Sequence, residues 1–351
     1  MAVRHLLSED ADRHVLYTGQ RHCNGVNAVR RVPVGTSSIP AATGDQALLE
    51  GKIFHALCWP ETFLSHPLGI RVVHSRSNSL TLEIDPRVKH AEGKVKATDE
   101  VLGEHVVGRL LPTVHGEGDV SGEPGVRAAW NDAEGALVVR LLGTSARVVI
   151  RGGTAEDWED ALGTLDDDEV VSQEQVWRTH PDTLHPEEQE IMTTAAWFYQ
   201  RIDYMASGLL RRVPLFHNLI SPFNVTAWNN TVPCCRDHSC QTRSWIMEMF
   251  FAPTLSFHEE ELIAHLTDPK LGLGILKKKR SRPEFGDARG QGRAVTLEFG
   301  PSGPICHGGL EIRLRTWSHL TIEVLRERLD RARLAPEAIE RYAPLIKPSA
   351  W

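Results

Sequence analysis

The residues best suited to chemistry are cysteines and histidines in one short segment. Four of them fall within seven positions: Cys234, Cys235, His238 and Cys240. Thiolate and imidazole are the ligands that zinc prefers, and the two residues between Cys235 and His238 would let both side chains reach one ion from a single turn. Cys306 and His307 lie in a glycine-rich stretch and could complete the site. We therefore predict that this region binds zinc or another divalent cation.

The segment NNTVPCCRDH resembles the second half of the motif of the HNH, or ββα-metal, endonucleases. Asn230 precedes Cys235 by five positions, and two polar residues and His238 follow that cysteine. The resemblance extends over about 30 residues in all. The resemblance implies that the upstream His217 activates water and that Asn230 orients the loop. His238 would bind the divalent ion that stabilises the phosphate transition state.

This resemblance implies a metal-dependent hydrolase that cleaves phosphodiester bonds in nucleic acid or a nucleotide. A basic run would then bind phosphate, and its members are Lys277, Lys278, Lys279, Arg280 and Arg282. Several glycines and a proline surround the run, which predicts a mobile basic loop. A solvated surface loop and a phosphate-binding loop both fit this composition.

Two other functions fit the cysteine-rich segment. Zinc-dependent nucleotide deaminases resemble this chain in pairing a His-x-Glu helix start with a Pro-Cys and a further cysteine. His185 and Glu187, with Pro233, either Cys234 or Cys235, and Cys240, supply that pattern, and Glu187 would be the proton shuttle. Alternatively, a structural zinc ion fastens a loop in a non-catalytic binding or assembly protein, or the cysteines are free thiols in a packed loop.

Bulk composition predicts a globular protein. The 351 residues are 41% hydrophobic and 24% charged, and the net charge of -7 disfavours a protein that coats nucleic acid. No run approaches the roughly 20 apolar residues that span a bilayer. The N-terminal MAVRHLLSEDADRHV has charges where a secretory signal would be apolar, so we predict a cytoplasmic location and no membrane partner. Oligomeric state stays open.

The hydrophobic pattern predicts an α+β fold. GIRVVH with SLTLEID, and ALVVRLL with RVVI, are typical of antiparallel hairpins. We predict a helix from Pro186 onwards, an extended FNVTAW, a helical FHEEELIAHL, and strands at AVTLEF and LEIRLR. The absence of strict βαβ alternation disfavours a doubly wound sheet. We expect a strand-rich region over residues 1–125 and a mixed region over residues 126–351 that carries the cysteines and histidines, either as two units or as one continuous domain, and no internal repeat.

Overall fold

The structure is a computed structural model. It describes residues 2–33, 35–58, 62–63, 66–85, 89–90, 102–116, 118–163, 173–194, 203–219, 222, 224–233, 241–251, 259–273, 275–287, 290–299 and 309–316.

Three helices open the chain and precede every strand: α1 (Ala2–Thr18), α2 (His22–Arg30) and α3 (Gly44–Leu57). A π-helical stretch (Leu102–Val107) continues into Gly108–Leu110, and together they form α4. The later helices are α5 (Ala155–Gly163), α6 (Val176–Thr179), α7 (Pro186–Thr194), α8 (Asp203–Leu210), α9 (Val213–Leu219) and α10 (Glu259–Leu266). The predicted helix starting at Pro186 is confirmed, and α10 lies within the predicted FHEEELIAHL.

The first sheet has five strands in the order β2-β3-β9-β8-β7. Its strands are β2 (Ile70–Arg76), β3 (Ser79–Ile84), β7 (Val126–Asn131), β8 (Ala136–Leu141) and β9 (Arg147–Arg151). The antiparallel pairs β2 with β3 and β8 with β9 confirm both predicted hairpins. Two small pairs lie outside this sheet: β1 (Thr62–Phe63) with β4 (Lys89–His90), and β5 (Thr113–Val114) with β6 (Val120–Ser121).

The second sheet also has five strands, in the order β10-β11-β14-β13-β12. Its strands are β10 (Asn224–Pro233), β11 (Gln241–Phe251), β12 (Ile275–Asp287), β13 (Gly290–Phe299) and β14 (Gly309–Thr316). FNVTAW, AVTLEF and LEIRLR therefore lie in strands as predicted. The prediction of a mobile basic loop is wrong, because the basic run belongs to β12, an edge strand whose register shifts within the run.

The two sheets repeat one topology. In each, an antiparallel pair comes first, its second strand pairs in parallel with the last strand of a later three-stranded meander, and a helix separates the two parts. The expectation of no internal repeat is therefore wrong at the level of structure. A repeat of this kind need not produce sequence similarity, because each strand requires only a hydrophobic pattern and not particular residues.

The division of the chain after residue 125 does not separate two structural units. Strand β3 pairs with β9 across that point, from Leu80 opposite Val148 to Glu83 opposite Arg151. Residues 126–151 therefore belong with the first half. Residues 113–126 are rich in glycine, which favours a boundary there, but they connect α4 to β7 of the same sheet and include the small pair β5–β6.

One hydrophobic core joins the two halves. Buried side chains of the first sheet, such as Leu82 and Ile150, belong to the same cluster as Met247 and Ile312 of the second. Helix α3 packs on α8, and Leu49, Ile53 and Phe54 are buried. Burial on two sides explains why α3 has weak apolar periodicity in sequence. Of the helices that the structure describes, none is both long and apolar enough to cross a membrane.

Candidate functional site

The structure describes some of the predicted site residues and not others. His217 is near the end of α9, and the Cα atom of Asn230 lies opposite Ser244 in the β10–β11 pair. Lys277, Lys278, Lys279, Arg280 and Arg282 lie in β12. The remaining predicted ligands lie outside the described residues: Cys234, Cys235, His238, Cys240, Cys306 and His307.

The elements on either side of the cysteine-rich segment are described, whereas residues 234–240 lie outside the described residues. His217 is on a helix and Asn230 is on β10. The next described element is β11, which pairs with β10 from Pro233 opposite Gln241 to Asn224 opposite Phe250. Among the described residues, no group of three or more His, Cys, Asp or Glu is placed to hold a metal ion. The metal site remains a prediction from sequence.

A charged cluster at the end of α3 has the geometry of an acid–base site. Lys52 and His55 are three positions apart, so both side chains project from one face of the helix. Glu123 accepts a hydrogen bond from His55 Nδ1 at 2.7 Å through Oε1, and its Oε2 lies 3.4 Å from Lys52 Nζ. The side chains of Lys52 and Glu123 are 1% and 4% exposed, whereas that of His55 is 43% exposed.

Backbone contacts fix Glu123 just before β7. Its amide donates to the carbonyl oxygen of Leu110, at the end of α4, and its own carbonyl accepts from Val126. The neighbouring Gly122 has a φ of 78°, and a Cβ there would lie 2.3 Å from the carbonyl oxygen of Leu111. Only glycine allows this close approach, which brings Glu123 towards α3.

The contact between His55 and Glu123 raises the pKa of the histidine and lowers the pKa of the glutamate. Burial favours the neutral forms, but the charge of Lys52 and the hydrogen bond and charge of His55 hold the pKa of Glu123 below its usual value. For His55, burial and Lys52 lower the pKa, and the hydrogen bond to Glu123 with its negative charge outweighs them. The pKa of His55 is therefore raised. Both shifts favour an ionised Glu123 beside a protonated His55.

The second half of the chain supplies one wall of this site. The ring of Trp245, on β11, packs edge-on against Phe54 at 5.4 Å and against His55 at 6.1 Å between centroids. Trp245 comes shortly after the cysteine-rich segment, since β11 starts at Gln241. The site therefore combines α3, the turn before β7, and the strand that follows the predicted metal ligands.

The arrangement at His55 uses one ring nitrogen and leaves the other for proton transfer. Nδ1 donates to the buried carboxylate, so Nε2 is the nitrogen of this half-exposed ring that Glu123 does not engage. A carboxylate that orients a histidine in this way is the usual companion of a general acid or base. Cys58, three positions on, is not suited to act as a nucleophile beside it, because complete burial raises the pKa of its thiol well above its usual value.

His217 lies in a different cluster. Its ring stacks on that of His66 with centroids 4.3 Å apart and an interplanar angle of 26°. His66 Nδ1 is 3.6 Å from Asp85 Oδ2, and the side chains of His66 and Asp85 are 18% and 3% exposed. The Asp85 amide donates to Gly69, which fixes the carboxylate at the end of β3. The predicted water-activating residue thus has a histidine as its neighbour.

No local sequence pattern singles out Lys52, His55 or Glu123. A lysine and a glutamate far apart in sequence give no local motif, and their partnership arises only when α3 meets the turn before β7. One signal was present, since the residues around His55 and His217 are similar, FHALCWP and FHNLISP. Comparisons with family models, with curated proteins and with solved structures found no match for this chain.

Proposed function

We propose that the protein is a hydrolase acting on a phosphate ester of a nucleic acid or nucleotide, with His55 as its acid–base group. The observation that carries this proposal is the 2.7 Å hydrogen bond from a half-exposed histidine to a buried, lysine-paired carboxylate. A carboxylate that fixes the tautomer, a half-exposed ring and a raised pKa are what a general acid requires.

In this proposal water attacks the phosphorus atom and the bond from phosphorus to the leaving oxygen breaks. The proton on His55 Nε2 passes to that oxygen as it leaves, and the neutral imidazole then takes back the proton that the attacking water loses after it has bonded to phosphorus. Glu123 stays ionised throughout, because Lys52 neutralises it and His55 Nδ1 donates to it in both states. A phosphate ester suits a cationic ring because the developing negative charge lies beside it.

The metal and the location belong to the same proposal. A divalent cation, zinc being the first choice, would be held around Cys235 and His238, and this part rests on sequence alone. Phosphate binding by the basic run of β12 likewise rests on residue type. We also propose a cytoplasmic location.

The test is hydrolysis of para-nitrophenyl phosphate, bis(para-nitrophenyl) phosphate and a short single-stranded oligonucleotide, each with Mg²⁺, Mn²⁺ or Zn²⁺. His55→Gln should lower kcat by about 100-fold or more, the usual contribution of a general acid. The matched control is His74→Gln, since His74 Nε2 also bonds a glutamate, Glu83, at 3.0 Å, but that carboxylate is 28% exposed and not buried. That variant should retain wild-type kcat.

Thermal unfolding of both variants separates chemistry from stability. A His55→Gln variant that unfolds near the wild-type temperature and has lost activity supports the proposal. Full activity in that variant, or no hydrolysis of any substrate by the wild type with any of the three ions, would overturn it.

A further inference from the structure

A short sequence pattern occurs once in each half of the chain. Phe54, His55 and Leu57 are followed by a proline in FHALCWP, and Phe216, His217 and Leu219 are followed by one in FHNLISP. Phe, His, Leu and Pro recur in the same order and at the same spacing. Four shared positions out of seven would carry little weight alone, so their places in the fold decide what they mean.

The two patterns occupy the same place in the repeated topology. FHALCWP begins at the end of α3, the last α-helix before the antiparallel pair β2–β3. FHNLISP begins at the end of α9, the last helix before the antiparallel pair β10–β11. Both phenylalanines are fully buried, so each pattern anchors a helix end by its aromatic side chain and places the next residue, a histidine, at the margin of the core.

Each helix end also reaches into the other half of the chain. At the first, the ring of Phe54 packs on Trp245 of β11, and Cys58 forms a hydrogen bond with the backbone of Ala227 in β10. At the second, α9 packs against β2 and the turn Pro67–Gly69. Each helix end therefore contacts the half of the chain to which it does not belong, as expected for two copies of one unit related by an approximate twofold axis.

We propose that the chain contains a duplicated unit and that His217, with His66, forms a second anion-binding site equivalent to that at His55. The ligand class is a phosphate group, and this part rests on the proposed function. At His55 the ring faces a carboxylate that is already neutralised by Lys52. At His217 the neighbours are His66 and, behind it, the buried Asp85.

The stacked pair is suited to hold an anion and not to transfer a proton. The ring N–H groups of two stacked imidazoles 4.3 Å apart can both donate to the oxygens of one phosphate. The carboxylate of Asp85 lies 3.6 Å from Nδ1 of His66 and positions that ring. The second site therefore binds, whereas the first binds and also donates a proton through a ring held by Glu123.

The experiment is a titration of the full-length protein with inorganic phosphate, followed by ¹⁵N NMR of the histidine side chains. Signals are assigned with His55→Gln, His66→Gln and His217→Gln, and His74→Gln is the matched control. We expect saturable shifts at His55 and at both His66 and His217. His217→Gln should abolish the shift at His66 and leave that at His55, and His55→Gln should do the reverse.

The possible results separate this inference from the proposed function. A shift at His55 with none at His66 or His217 in the wild type overturns the second site and leaves the function at His55 standing. Shifts at His66 and His217 alone support the second site and remove phosphate from His55. No shift at any of the three overturns both. Should one of the glutamine variants fail to fold, the asparagine variant at the same position assigns its signal.

Discussion

The two halves of the chain have the same strand plan but carry different buried charges. In the first half, α3 buries Glu50 and Lys52; in the second, the junction of α8 and α9 buries Arg211 and Arg212. Burial lowers the pKa of Arg212 to about 10, and its guanidinium donates to the carbonyl oxygens of Leu271 and Gly208. A shared backbone therefore does not imply shared chemistry, because the polar side chains have diverged.

This divergence produces the ion pair that joins the halves. Arg211 Nε and Nη2 donate to the two carboxylate oxygens of Glu50 at 2.7 and 2.6 Å, and Ser207 donates to the same carboxylate at 2.5 Å. Gln46 adds a further hydrogen bond at 2.8 Å and also bonds the backbone of Arg147 in β9. One acidic side chain of α3 thus connects α8 to the first sheet.

The largest expected effect comes from removing that acidic side chain. Glu50→Ala leaves Arg211 charged and fully buried, which costs about 3–5 kcal/mol in the free energy of unfolding. Denaturant unfolding measures it. Asp182→Ala, which removes the exposed partner of Arg140, is the matched control and should cost less than about 1 kcal/mol. Equal losses in the two variants would mean that Glu50 does not hold the halves together.

A smaller loss is expected from the aromatic contact between the halves. Trp245→Leu removes the ring that packs on Phe54 and His55 and should lower the free energy of unfolding by about 2–4 kcal/mol. Trp130→Leu, at a half-buried position of the first sheet, should cost less. If the order of the two losses were reversed, the wall of the His55 site would not be part of the core.

A pH-dependent difference in stability is expected at the His55 site. Because the pKa of His55 is raised in the folded state, its stabilising effect is complete below the unfolded value of 6.5 and is lost as pH rises through the folded pKa. His55→Gln should therefore lose stability relative to wild type below that range and converge with it above. The ring is 43% exposed, so solvent limits the difference to less than about 1 kcal/mol. A difference that grows with pH would contradict this account.

The smallest effect is expected in α8. At Gly208 an added Cβ would lie 2.8 Å from Leu273 Cδ2, the end of a flexible side chain that can rotate away. Gly208→Ala also gains up to about 1 kcal/mol in helix propensity. The net change in the free energy of unfolding should stay within about 1 kcal/mol. A loss above about 2 kcal/mol would indicate that α8 packs rigidly against the segment before β12.

Local patterns in the sequence predicted the local structure. The alternation in GIRVVH and SLTLEID identified β2 and β3, and Pro186 with its following glutamates identified the start of α7. The order of the strands in the sheet could not be predicted from local patterns, because the parallel pairing of β3 with β9 joins segments far apart in sequence. The basic run was misjudged, since lysines and arginines on an edge strand have the composition of a loop.

The candidate site was harder to predict for the same reason. Clusters of cysteine and histidine can be recognised in a sequence because their members lie a few positions apart. His55, by contrast, becomes distinctive only when Glu123 and Lys52 lie beside it, and that contact joins α3 to a turn beyond the hairpin β2–β3. The recurrence of FHxLxxP was the one local clue, and its value depends on knowing that the two sheets share a topology.

The most direct test of the central claim is a pH titration of the His55 side chain by ¹⁵N NMR, with His55→Gln to assign the signal. If Glu123 holds the ring, Nδ1 remains protonated throughout and the imidazole titrates with a pKa above 6.5. A ring that titrates at or below that value, or that carries its proton on Nε2 when neutral, would contradict the acid–base site at the end of α3.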